Sequence, residues 1–199
     1  MQSLLPFTVF ALVASITPGP ANILVLSSSA RFGLLPALRL TVGICMAASS
    51  IVLFTGWGLG NVLTAHPGIQ TGAKWLALAW LSHLSWLLFR HPPAVPQAGE
   101  TGRGQLGMLA GGGLQIVNPK VWMMALAVVS VFAGNGPDKT MRVAQMALIF
   151  FAAAILCMAL WALLGRGVAV LLRSPQHWRW LNQALAVLLL LSAWSSMLG

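Results

Sequence analysis

The chain has 199 residues, of which 58% are hydrophobic and 7% are charged, and its formal net charge is +9. Because a soluble domain carries about 25% charged residues, this composition excludes a soluble protein and predicts an all-α integral membrane protein with the lipid bilayer as its main partner. The 11 Lys and Arg residues are scattered between apolar segments, so the positive charge does not indicate a nucleic-acid partner.

The first apolar segment, residues 4–29, is long enough to span a bilayer, which takes about 20 residues. In its middle lies Thr17-Pro18-Gly19-Pro20-Ala21-Asn22. Proline breaks a helix, and in lipid the freed polar groups must be buried in protein or line a wet cavity. The N–H groups that begin the second half-helix favour an anion such as a carboxylate. A simple proline kink is the alternative. We favour a substrate site, whose candidate residues here are Thr17, Pro18, Gly19, Pro20 and Asn22.

The second and third segments, residues 41–63 and 72–89, precede a hydrophilic linker at 91–104 that is rich in Pro and Gly. His83 is the only histidine inside a predicted span, and no span contains an acidic residue. A carrier that is coupled to protons needs an ionisable group within the membrane. His83 is therefore a candidate for proton coupling, together with Lys120 of the fourth segment. The alternative for His83 is a hydrogen bond to a neighbouring helix.

The fourth segment, residues 105–132, contains a second break, Gln115-Ile116-Val117-Asn118-Pro119-Lys120. A charge at the centre of a bilayer costs about 2.5 kcal/mol or more and marks function by default. Lys120 is therefore expected to bind a substrate carboxylate or to exchange a proton; the alternative is that it snorkels to an interface. The candidate substrate-binding residues of this break are Gln115, Asn118, Pro119 and Lys120.

The fifth and sixth segments, residues 143–164 and 181–198, complete two groups of three spans. A three-span unit that is repeated along the chain enters the membrane in opposite orientations, as in many secondary transporters. The two breaks occupy similar positions in the first and fourth spans. We therefore predict six transmembrane helices in two inverted three-helix repeats, at 1–90 and 105–199, with a cytoplasmic linker at 91–104 and with helices 1 and 4 broken.

The distribution of basic residues predicts the orientation of these spans. Cytoplasmic loops carry the excess of Lys and Arg. The loops after the first, third and fifth spans contain Arg31, Arg39, Arg90, Arg103, Arg166, Arg173 and Arg179. The opposite side contains only Lys74, Lys139 and Arg142. We therefore expect both termini on the periplasmic side.

Thr17-Pro18-Gly19-Pro20-Ala21-Asn22 and Asn118-Pro119-Lys120 resemble the two signatures of the LysE/RhtB family of amino-acid exporters. The length, the six predicted spans and the central linker agree with that family, so the resemblance extends over the whole chain. It implies export of amino acids or related small metabolites across the bacterial inner membrane, driven by proton antiport. The two inverted halves would give alternating access by rocking. We also consider a homodimer.

Two alternatives belong to other classes of protein. The third span departs from the usual family sequence and reads Ala77-Leu78-Ala79-Trp80-Leu81-Ser82-His83-Leu84-Ser85, which leaves a non-transporting scaffold or accessory protein open. An intramembrane enzyme is the second alternative, but Gly-x-Ser-x-Gly and His-Glu-x-x-His motifs are absent from the sequence. Cys45 and Cys157 lie in apolar segments without metal-ligand spacing. We expect no enzyme activity, no metal and no cofactor.

Overall fold

The computed structural model describes residues 4–90, 105–134, 137–171 and 174–198. Within these ranges the regular structure is helical and contains no strand. The predicted linker at 91–104 lies outside the described residues.

The described part of the chain forms a series of helices, and a π-helical segment joins the third helix to the fourth. They are α1 (Leu5–Ile16), α2 (Pro20–Phe32), α3 (Leu34–Phe54), the π segment (Thr55–Leu59), α4 (Gly60–Ala65), α5 (Pro67–Arg90), α6 (Met108–Ile116), α7 (Pro119–Phe132), α8 (Lys139–Leu171) and α9 (Pro175–Leu198).

The six predicted segments are all helical, although not all of them meet the length and apolarity expected of a membrane span. Among the described residues, Leu34–Leu59 and Lys139–Leu171 are each long and apolar enough to cross a membrane. The number rises to 4 if α1 with α2, and α6 with α7, each form one bent span. In α9 the described residues include a shorter apolar stretch, Arg179–Leu191. The helical, multi-pass character is confirmed, and the six-span inverted repeat stays a prediction.

Both predicted breaks are present. The axes of α1 and α2 are bent by 54° across Thr17-Pro18-Gly19, and those of α6 and α7 are bent by 66° across Val117-Asn118. Pro20 and Pro119 are the first residues of the helices that follow. The N–H that proline lacks would have no intrahelical partner at this position, so each proline starts a half-helix as well as ending the one before it.

The second segment begins earlier than predicted, at Leu34 instead of residue 41. Gly33 has φ 87°, in the left-handed region that favours glycine, and it separates α2 from α3 by a single residue. Arg39 is therefore a helical residue. Its charge interrupts the apolar pattern without interrupting the helix, because arginine has a high helix propensity.

Helix α8 is central to the packing. It contacts α1, α2 and α3, while α3 also packs on α6 and α5 packs on α9. The main buried cluster joins side chains of both halves of the chain, including Phe7, Val25, Ile44, Val121 and Met146. Because α3 and α8 both contact the broken helices, both breaks border one shared core.

The crossing of α6 on α3 depends on glycine at position 111. A Cβ built on Gly111 would lie 2.5 Å from the carbonyl oxygen of Leu40 and 3.2 Å from the backbone nitrogen of Ile44. Gly113 lies in the same helix, and a Cβ there would meet nothing within 4 Å. We expect Gly111→Ala to lower the stability by about 1–3 kcal/mol, as overpacking of a core typically does.

Gly113→Ala is the matched control, because both substitutions bring the same gain in helix propensity, up to about 1 kcal/mol. The measurement is the melting temperature of the purified protein in detergent, followed as the loss of monodisperse protein on size exclusion. Gly111→Ala should melt below the wild type and Gly113→Ala at or above it. Equal melting temperatures for the two variants would show that the α3–α6 crossing is not tight.

Candidate functional site

The two breaks meet through the side chain of Lys120. Its Nζ donates to the carbonyl oxygens of Thr17, at 3.2 Å, and Ala14, at 3.4 Å. A Cβ built on Gly19 would lie 3.1 Å from the same Nζ. The start of α7 therefore lies against the end of α1, and the ammonium of the second break neutralises the exposed carbonyls of the first.

The backbone carbonyl oxygens at the broken end of α1 accept hydrogen bonds mainly from side chains. A helix leaves its last 4 or so carbonyls without intrahelical donors, and in lipid these groups must find partners. The donors are Thr17 Oγ1 to Val13 O at 2.6 Å, Asn22 Nδ2 to Ser15 O at 2.9 Å, Trp161 Nε1 to Ile16 O at 3.2 Å, and Lys120 Nζ as above. A plain proline kink would not collect donors from three separate helices.

The second break is organised around Asn118. Its Oδ1 accepts from the backbone N–H of Lys120 at 3.2 Å, which makes it the N-cap of α7. Its Nδ2 donates to Gln115 Oε1 at 2.9 Å, and Trp122 Nε1 donates to Ile116 O at 2.7 Å. In this conformation both ends of the Asn118 amide are engaged within the break, so its first role is to hold α6 and α7 at their bend.

A small cavity, which we call the central cavity, lies between the two breaks and has a volume of about 40 Å³. Its polar lining comprises Ser15, Asn22, Gln115, Asn118 and Lys120, with backbone from Gly19 to Ala21. Its apolar wall comprises side chains of α3, α7 and α8: Ile44, Cys45, Ala48, Val121, Met124, Phe150, Ala154 and Met158. Ligand pockets have volumes of about 300–1,000 Å³, so in this conformation the central cavity is too small for an amino acid.

The sequence-predicted residues occupy different places around this cavity. Gly19, Pro20, Asn22, Gln115, Asn118 and Lys120 line it, whereas Thr17, Pro18 and Pro119 shape the breaks without lining it. His83 is apart from the lining. It is exposed on α5, with its ring centroid 6.1 Å from that of Trp80. Of the two candidates for proton coupling, the structure brings only Lys120 to the cavity.

Three contributors to the site were not predicted. Ser15 is 6% exposed, lines the cavity, and its Oγ has no hydrogen-bond partner among the described residues. Trp161 and Trp122 each donate an indole N–H to the last carbonyl of a broken helix. A tryptophan within an apolar segment is the available signal, because a buried indole N–H usually requires an acceptor.

The electrostatics of the cavity favour a zwitterion. The Lys120 ammonium donates to carbonyl oxygens, and the sequence contains only two acidic residues, neither of them in a break. The carbonyl end of α1 favours a positive charge and the N-terminal ends of α2 and α7 favour a negative one. A molecule with one ammonium and one carboxylate matches both.

Several known proteins are similar in sequence to this protein over most of its length. The cysteine/O-acetylserine efflux protein of Salmonella choleraesuis (strain SC-B67) is 26% identical over 189 residues, covering 94% of this chain and 93% of the relative. The protein of that name from Klebsiella pneumoniae is 27% identical over 159 residues, with 80% of each chain covered. The Escherichia coli (strain K12) protein is 25% identical over 187 residues, covering 94% and 93%. No solved structure matches significantly.

The family comparison rests on the same stretch of chain. The profile described as LysE type translocator matches residues 12–198, which include both breaks. Together with the apolar helices, this match identifies a multi-pass bacterial membrane protein that is a transporter and not an enzyme. The chain belongs to the LysE type translocator family.

Proposed function

We propose that this protein exports small zwitterionic amino acids from the cytoplasm through the central cavity, in exchange for protons. The observation that carries the proposal is the contact of Lys120 Nζ with the carbonyl oxygens of Ala14 and Thr17. It places a cation at the end of α1, in the lining of the central cavity. Export then requires that the substrate enter this cavity when the helices around it separate.

The substrate ammonium and Lys120 are proposed to compete for the carbonyl end of α1. In the structure the ammonium of Lys120 occupies it. When a zwitterion binds from the cytoplasm, its own ammonium takes that place and Lys120 releases a proton. The carboxylate lies at the start of α2, where Ala21 and Asn22 line the cavity and helix geometry leaves N–H groups without intrahelical partners. Release outside restores the proton to Lys120.

Alternating access is proposed to come from two inverted units of three predicted spans each, which comprise α1–α5 and α6–α9. The packing supports this arrangement, because corresponding helices make corresponding contacts: α1 packs on α8 as α6 packs on α3, and α2 contacts α8 as α7 contacts α3. Each unit also begins with a helix that is broken before a proline. In this arrangement, with six spans, both termini lie on the periplasmic side.

The names of the relatives suggest which zwitterions to test. Cysteine and O-acetylserine are named as the substrates of the similar efflux proteins, and both are small enough for a site between two helix breaks. The apolar wall of the cavity, formed by residues such as Met124, Phe150 and Met158, is compatible with a thiol or an ester side chain. We therefore propose this pair as the first substrates.

The proposed function is tested by export from cells that overexpress the protein. Cells are loaded with labelled O-acetylserine or cysteine, and efflux is followed with and without an uncoupler. We expect efflux above that of cells without the protein, and we expect the uncoupler to remove the difference. Efflux that is unaffected by the uncoupler would contradict proton antiport but would still support export by the protein. An unchanged efflux for a panel of amino acids would favour the scaffold alternative.

A further inference from the structure

A second and larger cavity, the α7 vestibule, has a volume of about 610 Å³. It begins where the central cavity ends along α7: Val121 and Met124 line the central cavity, and Leu126, Ala127 and Val129–Val131 line the vestibule. At a rise of about 1.5 Å per residue, one cavity follows the other within a helical turn. The vestibule lies at the end of α7 that leads to α8, which the distribution of charge predicts to face the periplasm.

The vestibule has an unsatisfied hydroxyl and a cation in its lining. Thr55 is 3% exposed, lines the vestibule, and its Oγ1 has no hydrogen-bond partner among the described residues. Lys139, at the start of α8, lines the same cavity and is half-buried. A buried hydroxyl without a partner costs about 1–3 kcal/mol, so a ligand that accepts its hydrogen bond is favoured. A hydroxyl and an ammonium together suit a carboxylate.

The backbone beside Thr55 is built from glycines. In the π segment Gly58 has φ 134°, which favours glycine. Gly56 packs against the side chain of Val143 too closely for any Cβ. The backbone is therefore kinked at Gly58, three residues after Thr55 and beside the vestibule.

We propose that the α7 vestibule is a second binding site, which takes the carboxylate of a small zwitterion as it leaves the central cavity, with Thr55 donating a hydrogen bond and Lys139 pairing with the charge. This inference rests on the proposed function for the direction of passage. The inference adds the binding of a carboxylate at the periplasmic end of α7. An experiment can contradict this binding without contradicting export by the protein.

The test is protection of an introduced thiol from chemical labelling. Ser130 is exposed and lines the vestibule. A Ser130→Cys variant is treated in whole cells with a membrane-impermeant maleimide, with and without external O-acetylserine. We expect labelling from outside and a several-fold slower reaction in the presence of O-acetylserine. Thr55→Val, which keeps the shape and removes the hydroxyl, and Lys139→Gln should each abolish the protection.

The controls separate the vestibule from general effects. Met141→Cys places a thiol on an exposed position, 66% accessible, in the first turn of α8 outside the vestibule lining, and it should be labelled without protection. The native Cys45 and Cys157 are buried, so the parent protein should label slowly. Labelling of Ser130→Cys only in inverted vesicles, no protection, or protection that survives both Thr55→Val and Lys139→Gln would overturn the inference. Wild-type efflux, measured in parallel, reports separately on the proposed function.

Discussion

Replacing Lys120 by methionine is expected to reduce export to the level of cells without the protein. The side chain keeps most of its length and apolar character but loses the ammonium, which donates to the carbonyl oxygens of Ala14 and Thr17. The free energy of unfolding should also fall, by about 1 kcal/mol, because the part-buried carbonyl oxygen of Ala14 is left without this donor. Efflux and the melting temperature in detergent measure the two effects.

Lys120→Arg distinguishes the two roles proposed for this residue. A guanidinium keeps the positive charge but does not lose its proton in proteins. If Lys120 carries the exchanged proton, arginine should abolish export as completely as methionine does. Export that arginine retains would contradict proton exchange and would make Lys120 only the partner of the substrate carboxylate.

Arg166→Met is the control for both substitutions. Arg166 is an exposed cation on α8, and it does not line the central cavity. Its replacement removes one positive charge from the protein and should leave export unchanged. If Arg166→Met and Lys120→Met lowered export equally, loss of net charge would explain the result, and the central cavity would no longer be the proposed site.

The sequence was sufficient to predict the breaks, because proline at the start of a half-helix is a local signal. Pro20 and Pro119 begin α2 and α7 at the predicted positions. The bonds from Lys120 Nζ to the carbonyl oxygens of Ala14 and Thr17 bring the two breaks into contact.

The assignment of individual polar groups could not be predicted to the same depth. The side chain of Asn118 is of a type that often binds ligands. In the structure, however, it caps α7 and donates a hydrogen bond to Gln115. An amide at a helix start suits either role, and only the neighbouring backbone decides between them. Trp161 is 145 residues from the carbonyl of Ile16 that it satisfies, so local pattern carries no trace of their contact. His83 was considered for the site because it is ionisable, but its position on α5 leaves it exposed.

Asn22→Asp is expected to abolish export by supplying an internal carboxylate. The Asn22 Oδ1 and Lys120 Nζ both lie within 4 Å of the point where a Cβ of Gly19 would stand. An aspartate at this position would pair with the ammonium of Lys120 and keep it protonated, since an opposite charge nearby favours the charged form. It would also repel the carboxylate of the substrate from the start of α2.

Asn22→Ala provides the matched comparison. Both substitutions remove the hydrogen bond from Nδ2 to Ser15 O, but only aspartate adds a charge. We expect the alanine variant to retain measurable efflux and the aspartate variant to fall at least about tenfold below it, equivalent to about 1.4 kcal/mol. Aspartate should also melt above alanine, because it gains an ion pair inside the cavity.

Gln145→Glu tests whether any new negative charge on the protein has this effect. Gln145 is exposed on α8 and does not line the central cavity, so an added carboxylate there stays outside the proposed site. Its efflux should equal that of the wild type. Equal efflux from Asn22→Asp and Asn22→Ala would mean that an anion beside Lys120 is harmless. Competition between Lys120 and the substrate for the end of α1 would then be wrong, because that mechanism requires the cation to leave its carbonyls in every cycle.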